Sequence, residues 1–137
     1  MKMHQRRDVT QATMDHFTPK PFDWCKAATC VHMVRRHVAA MGHPVPPMPR
    51  FRSALTAKAA LTERGWSNLA EMMDATLPRI MPAQVIMGDV VELQSESDVF
   101  GALCIALGDG RVMGYSEGNE GFSVMQPFTS PIAAWRA

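Results

Sequence analysis

The apolar positions along this chain change their spacing at Gly88. Before it they recur at helical intervals, and after it they fall in short runs broken by glycine-containing turns. The clearest helical stripe is Val31, Val34, Val38 and Met41, which predicts a helix starting at a Thr29 cap and stopped by Gly42. Residues 4 to 16, with Val9, Ala12, Met14 and Phe17 close by in a polar run, predict an N-terminal helix closed by the prolines at 19 and 21. "HPVPPMP" should cross the surface extended, because each proline fixes its own φ and turns the residue before it away from helix. "SALTAKAALTERG" predicts a helix capped by Ser53, with Leu55, Ala59 and Leu61 near one face and Gly65 as its stop. "SNLAEMMDATLP" predicts a shorter one, from a Ser67 cap to Pro78.

Beyond Gly88, "DVVEL", "FGALCIAL", "RVMGYS" and "GFSVMQ" read as strands, with "GDG" and "EGNEG" as turns. The closing "SPIAAWRA" fits a helical turn or an edge strand. Helices first and strands after them predict an α+β fold, with helices covering one side of a small antiparallel sheet.

Composition narrows the function classes. A chain of 137 residues can bury one modest core, and 47% hydrophobic with 20% charged residues is globular composition. Fourteen basic against thirteen acidic side chains leave a formal charge of +1, scattered rather than striped, which argues against nucleic acid as a partner. The one basic cluster, "KMHQRR", reads as a solvated helix end. No apolar run at the N-terminus has the length of a signal sequence, and none elsewhere approaches a membrane span. Three cysteines cannot all pair within the chain, so the expected setting is a reducing cytoplasm. There is no internal repeat, and no pattern asks for a cofactor.

The candidate chemistry is in "PFDWCKAATC". A helix N-terminus lowers a thiol's pKa, and Cys30 follows the Thr29 cap directly. A thiolate nucleophile also needs a base, usually a histidine held by a third group.

"FDWCKAATC" resembles the lead-in to the nucleophile helix of papain-like proteins of the NlpC/P60 superfamily. It is closer still to a small phage and prophage family of unknown function with the pattern F-x-W-G-x-x-x-x-C. "ATLPRIMPAQVIMGDVVEL", "GALCIALGDGRVMG" and "GFSVMQPFTSPIAAWRA" are similar to that family's later segments in the right order, so the resemblance covers residues 20 to 137. It implies a single papain-like domain over 19–137, preceded by a helix or arm over 1–18. It also implies a setting among phage tail proteins: host cytoplasm during assembly, then the tail of the virion. On the matching motif Cys30 falls at the nucleophile position and Trp24 at the aromatic beside it, while Thr29 stands where an acid is usual and Cys25 where glycine is usual. In active relatives the second strand begins with the histidine base; here that position is Ala102.

An alanine cannot accept a proton, and positioned acid–base help contributes about 10²- to 10⁴-fold. All five histidines, His4, His16, His32, His37 and His43, precede the strands. His37 shares Cys30's helix face but lies about two turns away, His32 points elsewhere, and His43 is the one substitute left open. Cys30 therefore reads first as a small structural hydrophobe left from a catalytic ancestor, and second as an active nucleophile of a cysteine peptidase or amidase cutting cell-wall peptidoglycan. Cys25, Cys30 and Cys104 match no strong zinc spacing, and "GDGRV" and "EGNEG" read as hairpin turns rather than ion loops. Twelve methionines, Met72, Met73, Met81, Met87, Met113 and Met125 among them, fit core filling or an adaptable contact surface. Trp24, Trp66 and Trp135 read as packing anchors, with docking the alternative for Trp135 near the C-terminus. The leading expectation is a non-catalytic tail-tip, baseplate or assembly protein whose partners are other tail proteins.

Overall fold

The computed structural model describes residues 1–95, 102–115 and 121–137, and within them the fold is α+β. Four helices come first: α1 (Met3–Phe17), α2 (Cys30–Ala40), α3 (Ala54–Glu63) and α4 (Leu69–Asp74). Six strands follow: β1 (Arg79–Ile80), β2 (Val90–Leu93), β3 (Ala102–Ala106), β4 (Val112–Tyr115), β5 (Phe122–Met125) and β6 (Ala133–Trp135). They form one antiparallel sheet in the order β1-β6-β2-β3-β4-β5. Most of "EGNEG" and the start of "FGALCIAL" lie outside the described residues.

Strand alternation gives the sheet two buried faces. Val90, Leu103, Ile105, Met113 and Trp135 pack with the helices, while Val91, Cys104, Ala106, Val112 and Ala134 form a second cluster with Val85 and Met125. The closing segment is neither a helical turn nor an edge strand, because β6 sits inside the sheet, paired with β1 on one side and β2 on the other. Its alanines leave room for that position, and Trp135 is 0% exposed. Docking through Trp135 is thereby ruled out. Its Nε1 donates to Asp74 Oδ1 at 2.9 Å, and the Arg79 guanidinium lies 5.2 Å from its ring centroid.

The α2 stripe is buried as predicted, joined by Met33 and His37. Two other helices depart from the apolar reading. In α1 the buried positions are Arg6, Thr10, Thr13 and Phe17, a helical stripe that is mostly polar, while Ala12 is exposed. In α3 the buried face is Ala57, Ala60 and Leu61, and Leu55 is 78% exposed. The α4 cap is Asn68, whose side chain accepts from Glu71 N–H, and the helix ends at Asp74, ahead of Pro78. The methionines divide: Met72, Met73 and Met113 are core, and Met81 is exposed.

Candidate functional site

Cys30 is the first residue of α2, and Thr29 is its cap, with a side chain that accepts the His32 N–H at 3.3 Å. The Thr29 hydroxyl also lies 2.7 Å from His32 Nδ1. With the hydroxyl donating to Nδ1, His32 is neutral with its proton on Nε2. Burial first, then the charge of Arg35, holds this imidazole below its ordinary pKa. The ring rests against Phe51, with centroids 4.6 Å apart, and Trp24 stands 6.4 Å away. His32 is thus engaged with its own cap and with aromatic neighbours.

The Cys30 residue keeps some solvent contact, but its sulfur is packed against the Leu103 backbone and burial pushes the thiol up to about 11. Main-chain hydrogen bonds at the helix start pull the other way and do not offset the desolvation. Cys104 is pushed up to about 12, by burial first and then by the neighbouring Cys30. Both thiols are thereby held protonated and inert. All three cysteines are free, and Cys25 is exposed. Ala102 opens β3 opposite Leu93, shares its side of the strand with Cys104 and Ala106, and carries no titratable atom.

Among the described residues, no histidine hydrogen-bonds the Cys30 sulfur. His43 follows the far end of α2, where its N–H donates to Val38 O, and the helix between it and Cys30 spans about 15 Å. His37 is wholly buried at the last turn of α2. Its Nε2 faces Gly88 O at 2.9 Å and its Nδ1 faces Thr13 Oγ1 at 2.8 Å. A carbonyl can only accept, so Nε2 carries the proton and Nδ1 accepts from the threonine. Burial is the main reason its pKa falls to about 4.

Next to His37 lies a polar knot that the apolar pattern did not reveal. Asp89 is 0% exposed, and its carboxylate accepts from Arg6 Nη2 at 2.8 Å, Ala137 N at 3.0 Å, Arg136 Nε at 3.1 Å and Ile86 N at 2.9 Å. Arg6 also donates to Met87 O and to the Ala137 main-chain oxygen. Arg6 is therefore the reverse of a solvated helix end: it ties α1 to the start of β2 and to the end of β6. Gly88 is required here, with φ +92 and a Cβ that would stand 3.0 Å from Thr10 Oγ1 and 3.1 Å from Met41 Cε. The only sequence traces of the knot were the "GDV" turn and the closing Ala-Trp-Arg.

Among the described residues no three His, Cys, Asp or Glu side chains converge as a metal site, and no helix is long and apolar enough to cross a membrane. No curated protein and no solved structure matches the sequence. One family does match, over residues 1–137, and by that full-length match the chain belongs to the domain of unknown function DUF6950.

Proposed function

We propose that this protein is a non-catalytic interaction or assembly component of a tailed phage, built on a degenerate papain-like domain. The observation that carries the loss of chemistry is the state of Cys30: a thiol pushed up to about 11 by burial, with His32 and His37 engaged in hydrogen bonds of their own and His43 beyond the far end of α2. A nucleophile of this class needs a lowered pKa or an adjacent base, and Cys30 has neither. The phage setting rests on the sequence resemblance over residues 20 to 137. A helix whose first residue is the cysteine, packed on an antiparallel sheet, is the arrangement that resemblance implies.

Two measurements test the reading. Purified protein incubated with peptidoglycan should release no more fragments than a Cys30→Ala variant, and mass spectrometry of purified particles should detect the chain. Cys30-dependent release of cross-peptide fragments would instead establish the cysteine peptidase or amidase reading. Particles that assemble normally without the gene and never contain the protein would end the structural role.

A further inference from the structure

A cleft lies beside the α2 N-terminus, on the side of Trp24 and His32, and it is lined by charges that no ion pair among the described residues neutralises. The cleft measures about 360 Å³, within the range of small-molecule sites. Its polar lining is dominated by Arg35, Arg50 and Arg52, and among the described residues no aspartate or glutamate lines it. The arginines in ion pairs among the described residues are Arg6, Arg7, Arg79, Arg111 and Arg136, so none of the three in the cleft has a carboxylate partner there. Arg35 is the most confined of them. Its Nη1 is buried without a hydrogen-bond partner among the described residues, and Arg64 adds a like charge nearby. A buried donor on a cation with no acceptor is costly, and three unpaired cations around one hollow add repulsion.

The apolar wall is aromatic and rigid. Phe51 is buried, with the Trp24 ring 6.1 Å from it at a steep angle and the His32 ring 4.6 Å from it. Ala27, which also lines the cleft, has φ +55, a left-handed conformation that costs a non-glycine residue about 1 kcal/mol or more. Paired main-chain bonds between Asp23 and Ala28, at 2.9 and 3.0 Å, hold that turn in place. Strain of this kind persists where surrounding structure enforces it, and here it fixes the wall that carries Trp24 and Cys25.

We propose that this cleft binds a small molecule carrying an oxyanion, phosphate or carboxylate, beside a flat ring. The guanidiniums take the oxyanion, for which their planar donor pairs are suited, and the ring lies against the Trp24 and Phe51 wall. The site is independent of whether Cys30 reacts, since that sulfur does not line it.

The test titrates the full chain with adenosine 5′-monophosphate and with benzoate, as phosphate-bearing and carboxylate-bearing probes, and with adenosine and inorganic phosphate as half-ligands. Calorimetry gives the affinity, and tryptophan fluorescence reports on Trp24, with a Trp24→Phe variant identifying the signal. The expected result is saturable one-to-one binding of an anionic ring probe, with each half-ligand at least about tenfold weaker. Whichever probe binds identifies the oxyanion. Arg35→Gln should weaken binding about tenfold or more, the scale of one charge-assisted hydrogen bond. Because Arg35 is partly buried, the exposed pair Arg50→Ala and Arg52→Ala is tested alongside, with the same expectation. Binding of neither probe below about 1 mM, equal binding of inorganic phosphate alone, or unchanged affinity in both sets of variants would overturn the proposal.

Discussion

The two ends of α2 each hold a buried polar group, and they are satisfied in opposite ways. At the first turn, Thr29 and His32 serve each other across three residues, and Cys30 rests against β3 with its proton kept by burial. At the last turn, His37 draws partners from α1 and from the approach to β2, next to an aspartate that gathers four donors: Arg6 from α1, Arg136 and Ala137 from the C-terminal residues, and Ile86 from its own turn. The first end looked like chemistry in the sequence and is self-contained. The second left almost no trace in the sequence, yet it joins the N-terminal helix, the sheet and the C-terminal residues. A short-range motif can thus stand out in a sequence, while the interactions that hold the molecule together depend on residues far apart.

The sharpest way to break this comparison is to remove the hub of the distant end. Asp89→Ala strands the buried Arg6 charge, and loss of one partner of a buried pair costs about 3 to 5 kcal/mol. Thermal unfolding should show a fall in Tm of roughly 10 °C or more. A loss under about 1 kcal/mol would mean that the knot is not what joins α1 to the sheet.

Acid should probe the same end next. His37 has a folded pKa of about 4 against 6.5 for the free side chain. The unfolded chain therefore binds the extra proton between those values, so stability present above pH 6.5 is lost as pH falls towards 4, by up to about 3 kcal/mol. Urea unfolding of the protein and of His37→Gln across that window should give a visibly shallower slope for the variant. Identical slopes would assign the acid sensitivity to other groups.

Smaller effects are expected from Trp135 and from the local end of α2. Trp135→Phe removes the donor to Asp74 and part of the ring under Arg79, and should cost about 1 to 2 kcal/mol in denaturant midpoints. A neutral outcome would show that solvent replaces both contacts. Thr29→Ala deletes an N-cap and should cost about 1 kcal/mol. If Thr29→Ala proved as damaging as Asp89→Ala, the contrast between the two ends would collapse.

What the sequence made legible follows the same division. The α2 stripe, the Thr29 and Ser53 caps and the four strands after Gly88 were all readable because they depend on spacing within a few residues. Arg6 was misread because a charged residue in a basic cluster looks solvated until its partner, 83 positions away, is known. Leu55 was misplaced for a related reason: in an alanine-rich helix the small residues can form the buried face, so the largest apolar side chain is a poor guide. β6 resisted assignment because an Ala-Ala-Trp run has neither strong alternation nor β-branched residues, and its place inside the sheet is set by β1 and β2. At the candidate site, the helix start at Cys30 behind the Thr29 cap could be read. The engagement of His32 with Thr29, and the cluster of unpaired arginines beside it, required the fold.

On the non-catalytic reading Cys30 is a packed, protonated thiol rather than a nucleophile. Alkylation of the folded protein with iodoacetamide at pH 7.4, with each cysteine followed by peptide mass spectrometry, decides between the two. A pKa near 11 implies a thiolate population on the order of 10²-fold below that of an ordinary cysteine, with burial slowing access further. Exposed Cys25 should be labelled first, with Cys30 reacting at least about a hundredfold more slowly. Labelling of Cys30 ahead of Cys25 would overturn the non-catalytic reading.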